Sequence, residues 1–201
     1  MQPFTEFRYQ IDDRRDIVDE NVLISELIKK NPKALEELMS TYGTRLLKSA
    51  FLIIKDYGLA QDTVQEVFIQ VYYKISLFRA QSTLYTWIYS IMLNICRKKL
   101  KNNWLKKIVL SDQKINTKIA EIEINVNHLD LQDALQKLND KYQRIAIMFY
   151  FEDFTIKEIA EATGSREGTV KSSLSRLRSL LKDTMSGGNE YDEFSESRRT
   201  T

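Results

Sequence analysis

The chain alternates between long amphipathic stretches and short polar breaks. In QDTVQEVFIQVYYKI, residues 61–75, apolar side chains recur every three or four positions, which predicts a helix with one buried stripe of Val64, Val67, Phe68, Val71 and Ile75. The opposite side mixes acids and amides with large apolar groups, a combination that solvent exposure alone does not require. The pattern alone leaves the role of this second face open; it is formed by Asp62, Gln65, Glu66, Ile69, Gln70 and Tyr73.

Similar helical patterns fill most of the chain. Asn31 followed by Pro32 is typical of a helix start, and YGLAQDT (57–63) and FRAQST (78–83) are expected to break the helical run. A weakly alternating, polar stretch predicts a linker, although its isoleucines leave open a strand or a segment that becomes ordered. The expected order is a mobile lead-in, a helical domain, the linker, a second helical domain and a disordered tail: 1–20, 21–105, 106–127, 128–184 and 185–201.

The linker, residues 106–127, is predicted to be flexible. We therefore expect the two domains to fold separately and the free chain to be elongated, with a placement set by whichever partner binds both domains. The alternative is that the domains pack together and that a partner must open a closed form.

The composition narrows the fold class. With 201 residues, of which 43% are hydrophobic, the chain can form one large or two small domains with true cores. Gly and Pro are common in the turns that join strands, and the chain has only 6 Gly and 2 Pro, so we predict an all-α protein. One Cys and one His predict neither a disulfide nor a metal site, and we expect no cofactor. The apolar runs are far shorter than the ~20 residues of a membrane span, and no secretory signal opens the chain, so we expect a cytoplasmic protein.

The positive charge is concentrated in two places. The net charge is only +2, yet residues 96–107 carry six basic residues and no acid, and residues 164–182 carry five basic residues and one acid. Either run could be a solvated face or a surface that contacts phosphates.

Residues 154–181, FTIKEIAEATGSREGTVKSSLSRLRSLL, hold the most specific pattern. Thr155 can cap a first helix, Ala160 allows close helix packing, Gly164 can end that helix, and Val170 and Leu174 begin a second apolar stripe. This pattern predicts a helix-turn-helix, although an ordinary helical hairpin remains an alternative. Such a second helix enters the major groove, so its polar residues are candidate DNA contacts: Arg166, Glu167, Thr169, Lys171, Ser172, Ser173 and Arg176.

Aromatic residues precede the first basic run, in FRAQSTLYTWIYSIMLNICRKKLKNNW. Aromatic rings beside basic groups can stack unpaired bases and hold their phosphates, but the spacing of Trp87, Ile91 and Ile95 also fits a simple core. No Gly-rich phosphate loop follows a strand, and the single His has no nearby Ser or Cys partner. We therefore predict that the protein is not an enzyme and has no small-molecule substrate.

Four successive segments together resemble an extracytoplasmic-function (ECF) sigma factor of the sigma-70 family. They are DTVQEVF (62–68), the F…TLYTWIYSIMLNICR segment, the linker, and ALQKLNDKYQRIAIMFYFEDFTIKEIAEATGSREGTVKSSLSRLRSLL. The resemblance covers about residues 22–184. It implies a sigma-2 and a sigma-4 domain in a bacterial initiation factor that binds core RNA polymerase and directs it to a small promoter set under envelope or environmental stress. It also implies a possible anti-sigma partner, which in this family is often membrane-anchored.

The resemblance also implies roles for individual residues. The β′ clamp helices of polymerase would contact Asp62, Gln65, Glu66, Val67 and Phe68, and the β flap would contact sigma-4. The minus-ten element would be recognised and melted by the segment that follows, Phe78, Arg79, Gln81, Ser82, Thr83, Trp87, Asn94, Arg97, Lys98 and Lys101. The second helix of the helix-turn-helix would read the minus-thirty-five element.

The chain departs from the family pattern at three places: Lys98 where many members have an acid, Ser173 where they have Arg, and Leu138-Asn139 where they have Leu-Pro. These departures bear on base preference. The competing interpretation is a free-standing helix-turn-helix regulator that binds an operator as a dimer without polymerase. A small enzyme would instead require substrate turnover that survives loss of both basic runs.

Overall fold

The computed structural model describes residues 19–109 and 138–186, with side chains for 19–102 and 138–180. In these ranges every regular element is helical, which confirms the all-α prediction. The helices are α1 (Glu20–Ile28), α2 (Pro32–Ile54), α3 (Tyr57–Lys74), α4 (Leu84–Val109), α5 (Asp140–Ala146), α6 (Ile156–Thr163) and α7 (Glu167–Ser186). A 3₁₀ turn (Ile75–Leu77) follows α3, and a π-helical turn (Ile147–Phe151) follows α5.

Side-chain caps set most helix starts. Asn31 accepts a hydrogen bond from the backbone N–H of Lys33 and Pro32 is the first residue of α2, as the sequence predicts. The predicted break at residues 57–63 is wrong, however, because the chain turns earlier. The chain turns at Lys55, which has a left-handed φ of 61°, and Asp56 then caps α3 by accepting from the N–H of Leu59 at 2.9 Å. The segment 57–63 is therefore the start of α3 and not a break, because Asp56 supplies the cap.

The first domain packs α1 to α4 around one apolar core. All five residues of the stripe predicted on α3, Val64, Val67, Phe68, Val71 and Ile75, are buried, facing α2 and α4. Cys96 is also buried, and burial raises the pKa of its thiol to about 12, so it is an unreactive core residue. Among the described helices, none is both long and apolar enough to cross a membrane.

The second domain contains the helix-turn-helix. Thr155 and Glu158 form a reciprocal capping box at the start of α6, and Gly164 ends that helix with a φ of 64°. Ala160, Val170 and Leu174 are buried where α6 meets α7. The sequence prediction of a helix-turn-helix is therefore confirmed.

The predicted domain limits can be compared with the helix ends. Helix α4 continues to Val109, past the expected boundary at residue 105, and α7 continues to Ser186, past the boundary at 184. Most of the predicted linker (106–127), and residues 128–137 of the second domain, lie outside the described residues, as do 1–18 and 187–201.

The two domains contact each other. Helix α6 packs against α4, while α5 and the π-helical turn pack against α2, and the buried side chains of both domains form one continuous core. We call this arrangement the closed form. The prediction of an elongated chain with separately placed domains is therefore wrong for this structure, because apolar side chains of both domains are buried against each other.

Candidate protein and nucleic-acid interfaces

The second face of α3 is exposed and mixes acidic with apolar groups. Asp62 and Gln65 are exposed and Glu66 is half-buried. Glu66 accepts a hydrogen bond from Gln70 at 3.3 Å and lies 3.8 Å from the ammonium group of Lys99 on α4. The charge of Glu66 is thus partly neutralised by Lys99, whereas the carboxylate of Asp62 is exposed to solvent.

Large apolar side chains continue this face toward the C-terminal end of α3. Ile69 is 57% exposed, Tyr73 is 72% exposed and Leu77, in the 3₁₀ turn, is 68% exposed. The sequence indicated Ile69 and Tyr73 but missed Leu77, although its position four residues after Tyr73 was a usable signal. An apolar strip of this kind beside exposed acids is typical of a protein-binding surface.

Val67 and Phe68 belong to the core beneath this face. Their exposures are 0% and 4%, so neither side chain can contact a partner in this conformation. They hold α3 against its neighbours. Their proposed role in polymerase contact therefore becomes one of positioning, because the helical phase that exposes Asp62 and Glu66 turns Val67 and Phe68 inward.

The loop 78–83 is anchored at its C-terminal end. Thr83 precedes α4 and accepts a hydrogen bond from the N–H of Thr86 at 3.1 Å, and the N–H of Leu84 donates to Glu20 at 2.9 Å. At the other end, the half-buried rings of Phe78 and Trp87 pack with centroids 5.4 Å apart. The polar side chains of the loop are exposed or half-buried: Arg79, Gln81, Ser82 and Thr83. The loop therefore presents polar groups beside an accessible aromatic pair.

Helix α4 carries one solvent-facing stripe that starts at this loop. Trp87 is half-buried, and the exposed polar residues Asn94, Arg97, Lys98 and Lys101 follow it at helical spacing. Asn94 accepts a hydrogen bond from the guanidinium of Arg97 at 2.8 Å. The structure thus brings the aromatic pair and the basic residues onto one edge, as base stacking and phosphate contact together require.

The N-terminal half of α7 also faces solvent. Six of the seven predicted DNA contacts are exposed: Arg166, Glu167, Thr169, Lys171, Ser172 and Arg176. The seventh, Ser173, is only 4% exposed, because it lies on the stripe that packs against the rest of the domain with Val170, Leu174 and Leu177. The proposed contact of Ser173 with DNA is therefore wrong for this conformation.

A polar cluster that sequence reasoning missed lies between the domains. The Glu152 cluster consists of Glu152, Arg45, Ser49 and Tyr85. The Glu152 carboxylate, 4% exposed, accepts hydrogen bonds from the Arg45 guanidinium at 2.6 Å, the Tyr85 hydroxyl at 2.8 Å and the Ser49 hydroxyl. Burial raises the pKa of the Glu152 carboxyl, although its three donors oppose that shift. An acid directly after the apolar run IAIMFYF was the only signal in the sequence.

Comparisons with known proteins match the order of these domains. A family model described as Sigma-70 region 2 matches residues 38–106, and one described as Sigma-70, region 4 matches residues 128–181. The RNA polymerase sigma factor SigV of Bacillus subtilis is 33% identical over 134 residues, covering 66% of this chain and 80% of SigV. The ECF RNA polymerase sigma factor SigW of the same organism is 26% identical over 174 residues, covering 79% and 92%.

Two solved structures share the fold. CnrH in complex with the cytosolic domain of CnrY superposes with a TM-score of 0.63 at 16% identity, covering 85% of this chain and 99% of that one. The sigma factor RpoE in complex with the anti-sigma factor NepR, from Bartonella quintana, gives a TM-score of 0.63 at 19% identity, covering 78% and 99%.

Proposed function

The chain is an ECF sigma factor of the sigma-70 family, a bacterial transcription initiation factor, and we propose how its three exposed surfaces divide that work. The face of α3 contacts the β′ clamp helices of core RNA polymerase. The loop 78–83 and the stripe of α4 recognise and melt the minus-ten element. The exposed end of α7 reads the minus-thirty-five element. The observation that supports this assignment is that all three surfaces face solvent, the first two within residues 38–106, which match Sigma-70 region 2, and the third within residues 128–181, which match region 4.

The chemistry of the α3 face supports polymerase binding. Asp62 and Gln65 offer exposed polar groups, while Ile69 and Tyr73 offer apolar area that would be removed from water on binding. Acidic groups steer the approach to a basic partner surface, and buried apolar groups then slow dissociation.

The minus-ten surface combines two kinds of contact. An unpaired base captured by the loop would stack near Phe78 and Trp87, and Arg97, Lys98 and Lys101 would neutralise the phosphates that follow. Lys98 adds a positive charge at a position where many family members have an acid. We therefore expect tighter and less base-selective contact there, because a lysine to phosphate contact carries no sequence information.

The minus-thirty-five surface is the exposed end of α7. Arg166 and Lys171 can reach phosphates or guanine edges, and Glu167 can accept from the amino group of cytosine. The burial of Ser173 removes one contact from this set. Specificity would then rest on the residues of the first two turns.

An anti-sigma factor is the proposed regulatory partner, acting on this protein in the cytoplasm until an envelope or environmental stress releases it. A solved neighbour is a sigma factor in complex with an anti-sigma factor, which supports the proposal by analogy of fold. The minus-ten, minus-thirty-five and clamp surfaces are all candidates for such a partner.

The direct test is reconstitution. The purified chain should bind the core RNA polymerase of Bacillus subtilis and support initiation from promoters found by sequencing the transcripts that appear when the protein is overproduced. Tight binding of duplex DNA by the chain alone as a dimer, without any affinity for core enzyme, would instead establish the free-standing regulator.

A further inference from the structure

Helix α1 lies outside residues 38–106, which match Sigma-70 region 2, so that match assigns it no role. Its two ends nevertheless contact the two helix ends that flank the loop 78–83. Between those contacts α1 packs against the 3₁₀ turn that leads from α3 into the loop, and its buried side chains Leu23 and Leu27 belong to the core. Helix α1 therefore bridges the segment that joins α3 to α4.

Glu20, the first residue of α1, holds the start of α4. Its carboxylate accepts a hydrogen bond at 2.9 Å from the N–H of Leu84, the first residue of α4. The first N–H groups of a helix have no acceptor within that helix, and Leu84 is 0% exposed, so water cannot reach its N–H in this conformation. Asp19 caps α1 by accepting from the N–H of Asn21 at 3.0 Å, which keeps Glu20 in place. The chain directly after the loop is therefore fixed by a side chain of α1.

Lys30, which follows α1, holds the end of α3. Its ammonium group donates a hydrogen bond to the backbone carbonyl of Tyr72, in the last turn of α3, and lies 4.5 Å from the centroid of the Tyr72 ring. The last carbonyls of a helix lack a partner within it, as the first N–H groups do. Lys30 is itself held by a hydrogen bond from its own N–H to the carbonyl of Leu27 at 3.0 Å. The chain before the loop is therefore fixed by α1 as well.

The two contacts agree in sign with the helix dipoles but differ in their exposure to water. An acid lies at the N-terminus of α4 and a base at the C-terminus of α3, which is the favourable arrangement at each end. Glu20 is half-buried and its donor is buried, whereas Lys30 is exposed, so water competes for the second contact. We therefore expect Glu20 to contribute more than Lys30.

The backbone of the loop needs such support. Ala80 has a φ of 51°, in the left-handed region that residues with a Cβ atom rarely adopt. A conformation of this kind persists only where the surrounding structure holds it. Ala80 is exposed, so burial of its side chain does not supply that hold. The shape of the loop therefore depends on how firmly its two ends are fixed.

We propose that Glu20 and Lys30 are positioning residues for minus-ten recognition, which hold the loop 78–83 in the shape that captures an unpaired base. The proposal rests on the proposed function. Neither residue is assigned a contact with DNA, and each acts through the backbone of the helix end that it binds. Loss of either contact should lower the fraction of molecules whose loop has the binding shape, and the apparent affinity for the minus-ten strand falls with that fraction.

The mobility of a nitroxide spin label at Gln81→Cys in the free protein tests the hold on the loop. Gln81 is exposed, and the buried thiol of Cys96 does not compete for label because its pKa is about 12. Glu20→Ala removes the acceptor for the N–H of Leu84, and Glu20→Gln retains a carbonyl oxygen there. Lys30→Met retains the apolar stem without the ammonium group.

Asp56→Ala is the matched control. It also removes a carboxylate that accepts from an N–H at a helix start at 2.9 Å, but at the end of α3 that is far from the loop. It should therefore lower Tm about as much as Glu20→Ala does and leave the loop unchanged. Circular dichroism checks that each variant keeps its helices.

Glu20→Ala should shorten the rotational correlation time of the label at least about twofold, Lys30→Met should shorten it less, and the double variant should shorten it most. Glu20→Gln should stay near the wild-type value, and Asp56→Ala should equal it. Unchanged mobility in both Glu20→Ala and the double variant would overturn the proposal, and so would an equal gain of mobility in Asp56→Ala.

Binding of a single DNA strand supplies the second measurement. Unlabelled protein at saturating core RNA polymerase of Bacillus subtilis is titrated with the non-template minus-ten strand of a promoter found by transcript sequencing. Glu20→Ala should weaken binding of the strand about two- to fivefold, because loss of one capping hydrogen bond shifts a local equilibrium by up to about fivefold. Glu20→Gln should restore most of the affinity, and the affinity of each variant for core enzyme should equal that of the wild type.

The two measurements separate the proposal from the function on which it rests. A loop that loosens in Glu20→Ala without any loss of strand affinity would refute the positioning role. If wild-type protein with core enzyme does not bind the strand, although the loop loosens as expected, the hold of α1 on the loop stands and the proposed function fails.

Discussion

Reversing both acids on the α3 face, in Asp62→Lys/Glu66→Lys, should weaken binding to core polymerase at least about tenfold and leave the helices intact. The reason is that Asp62 is exposed and Glu66 is half-buried at a surface, so both charges are available to a partner. Binding is measured as the dissociation constant of labelled protein from core enzyme at two salt concentrations, and the electrostatic part of the loss should shrink at high salt.

The cost to stability follows from the contacts of Glu66. Its pair with Lys99, at 3.8 Å and partly exposed, contributes about 0.2–1 kcal/mol, and a lysine at position 66 would replace that attraction by repulsion of similar size. The free energy of unfolding should therefore fall by at most about 2 kcal/mol, which lowers Tm by up to roughly 8 °C. Asp62→Lys/Glu66→Gln avoids the repulsion and should lower Tm by at most about 4 °C.

The matched control is Glu36→Lys/Glu37→Lys on α2, which changes the net charge by the same amount on another helix. It should bind polymerase like the wild type. Equal losses of affinity in the control would show that net charge alone matters. Unchanged affinity in both Asp62 variants would refute the role assigned to this face. A fall in Tm large enough to explain the loss of polymerase affinity by unfolding would refute it as well.

Three further changes test the second domain and the closed form. Thr155→Ala removes the acceptor for the N–H of Glu158 and should lower the free energy of unfolding by about 1 kcal/mol in thermal melts, whereas Thr155→Ser should retain it. The hydroxyl of Tyr89 is buried without a hydrogen-bond partner among the described residues, so Tyr89→Phe should raise Tm slightly; a fall would show that the hydroxyl is satisfied. Because closing raises the pKa of the Glu152 carboxyl, the closed form binds a proton more readily than the open form, and the open fraction, measured by energy transfer between dyes on α2 and α7, should fall as pH is lowered from 7 toward that raised pKa. Arg45 stays charged in this range, and the tyrosine hydroxyls beside Glu152 stay neutral because burial raises their pKa, so Glu152→Ala should abolish the pH dependence.

Local rules predicted much of this fold correctly. Asn31 and Thr155 cap their helices by accepting hydrogen bonds from the N–H groups of Lys33 and Glu158, and Gly164 adopts the left-handed conformation that the tight turn needs. These features depend on a few adjacent residues. They can therefore be predicted from the sequence alone.

The spacing of apolar residues along a helix indicates burial at two positions that the predictions place on contact surfaces. Val170, Leu174 and Leu177 define a buried stripe, and Ser173 falls on it at the spacing of three and four residues. Ser173 was assigned to DNA because it is small and polar. In the same way, Val67 was assigned to the polymerase surface although its stripe is buried.

The Glu152 cluster could not be predicted in this way. Arg45 and Glu152 are 107 positions apart, and nothing local to either residue indicates the other. A buried carboxylate is costly unless donors surround it, and these donors come from two helices of the other domain. Such a contact depends on how the domains meet, which periodicity and capping do not specify.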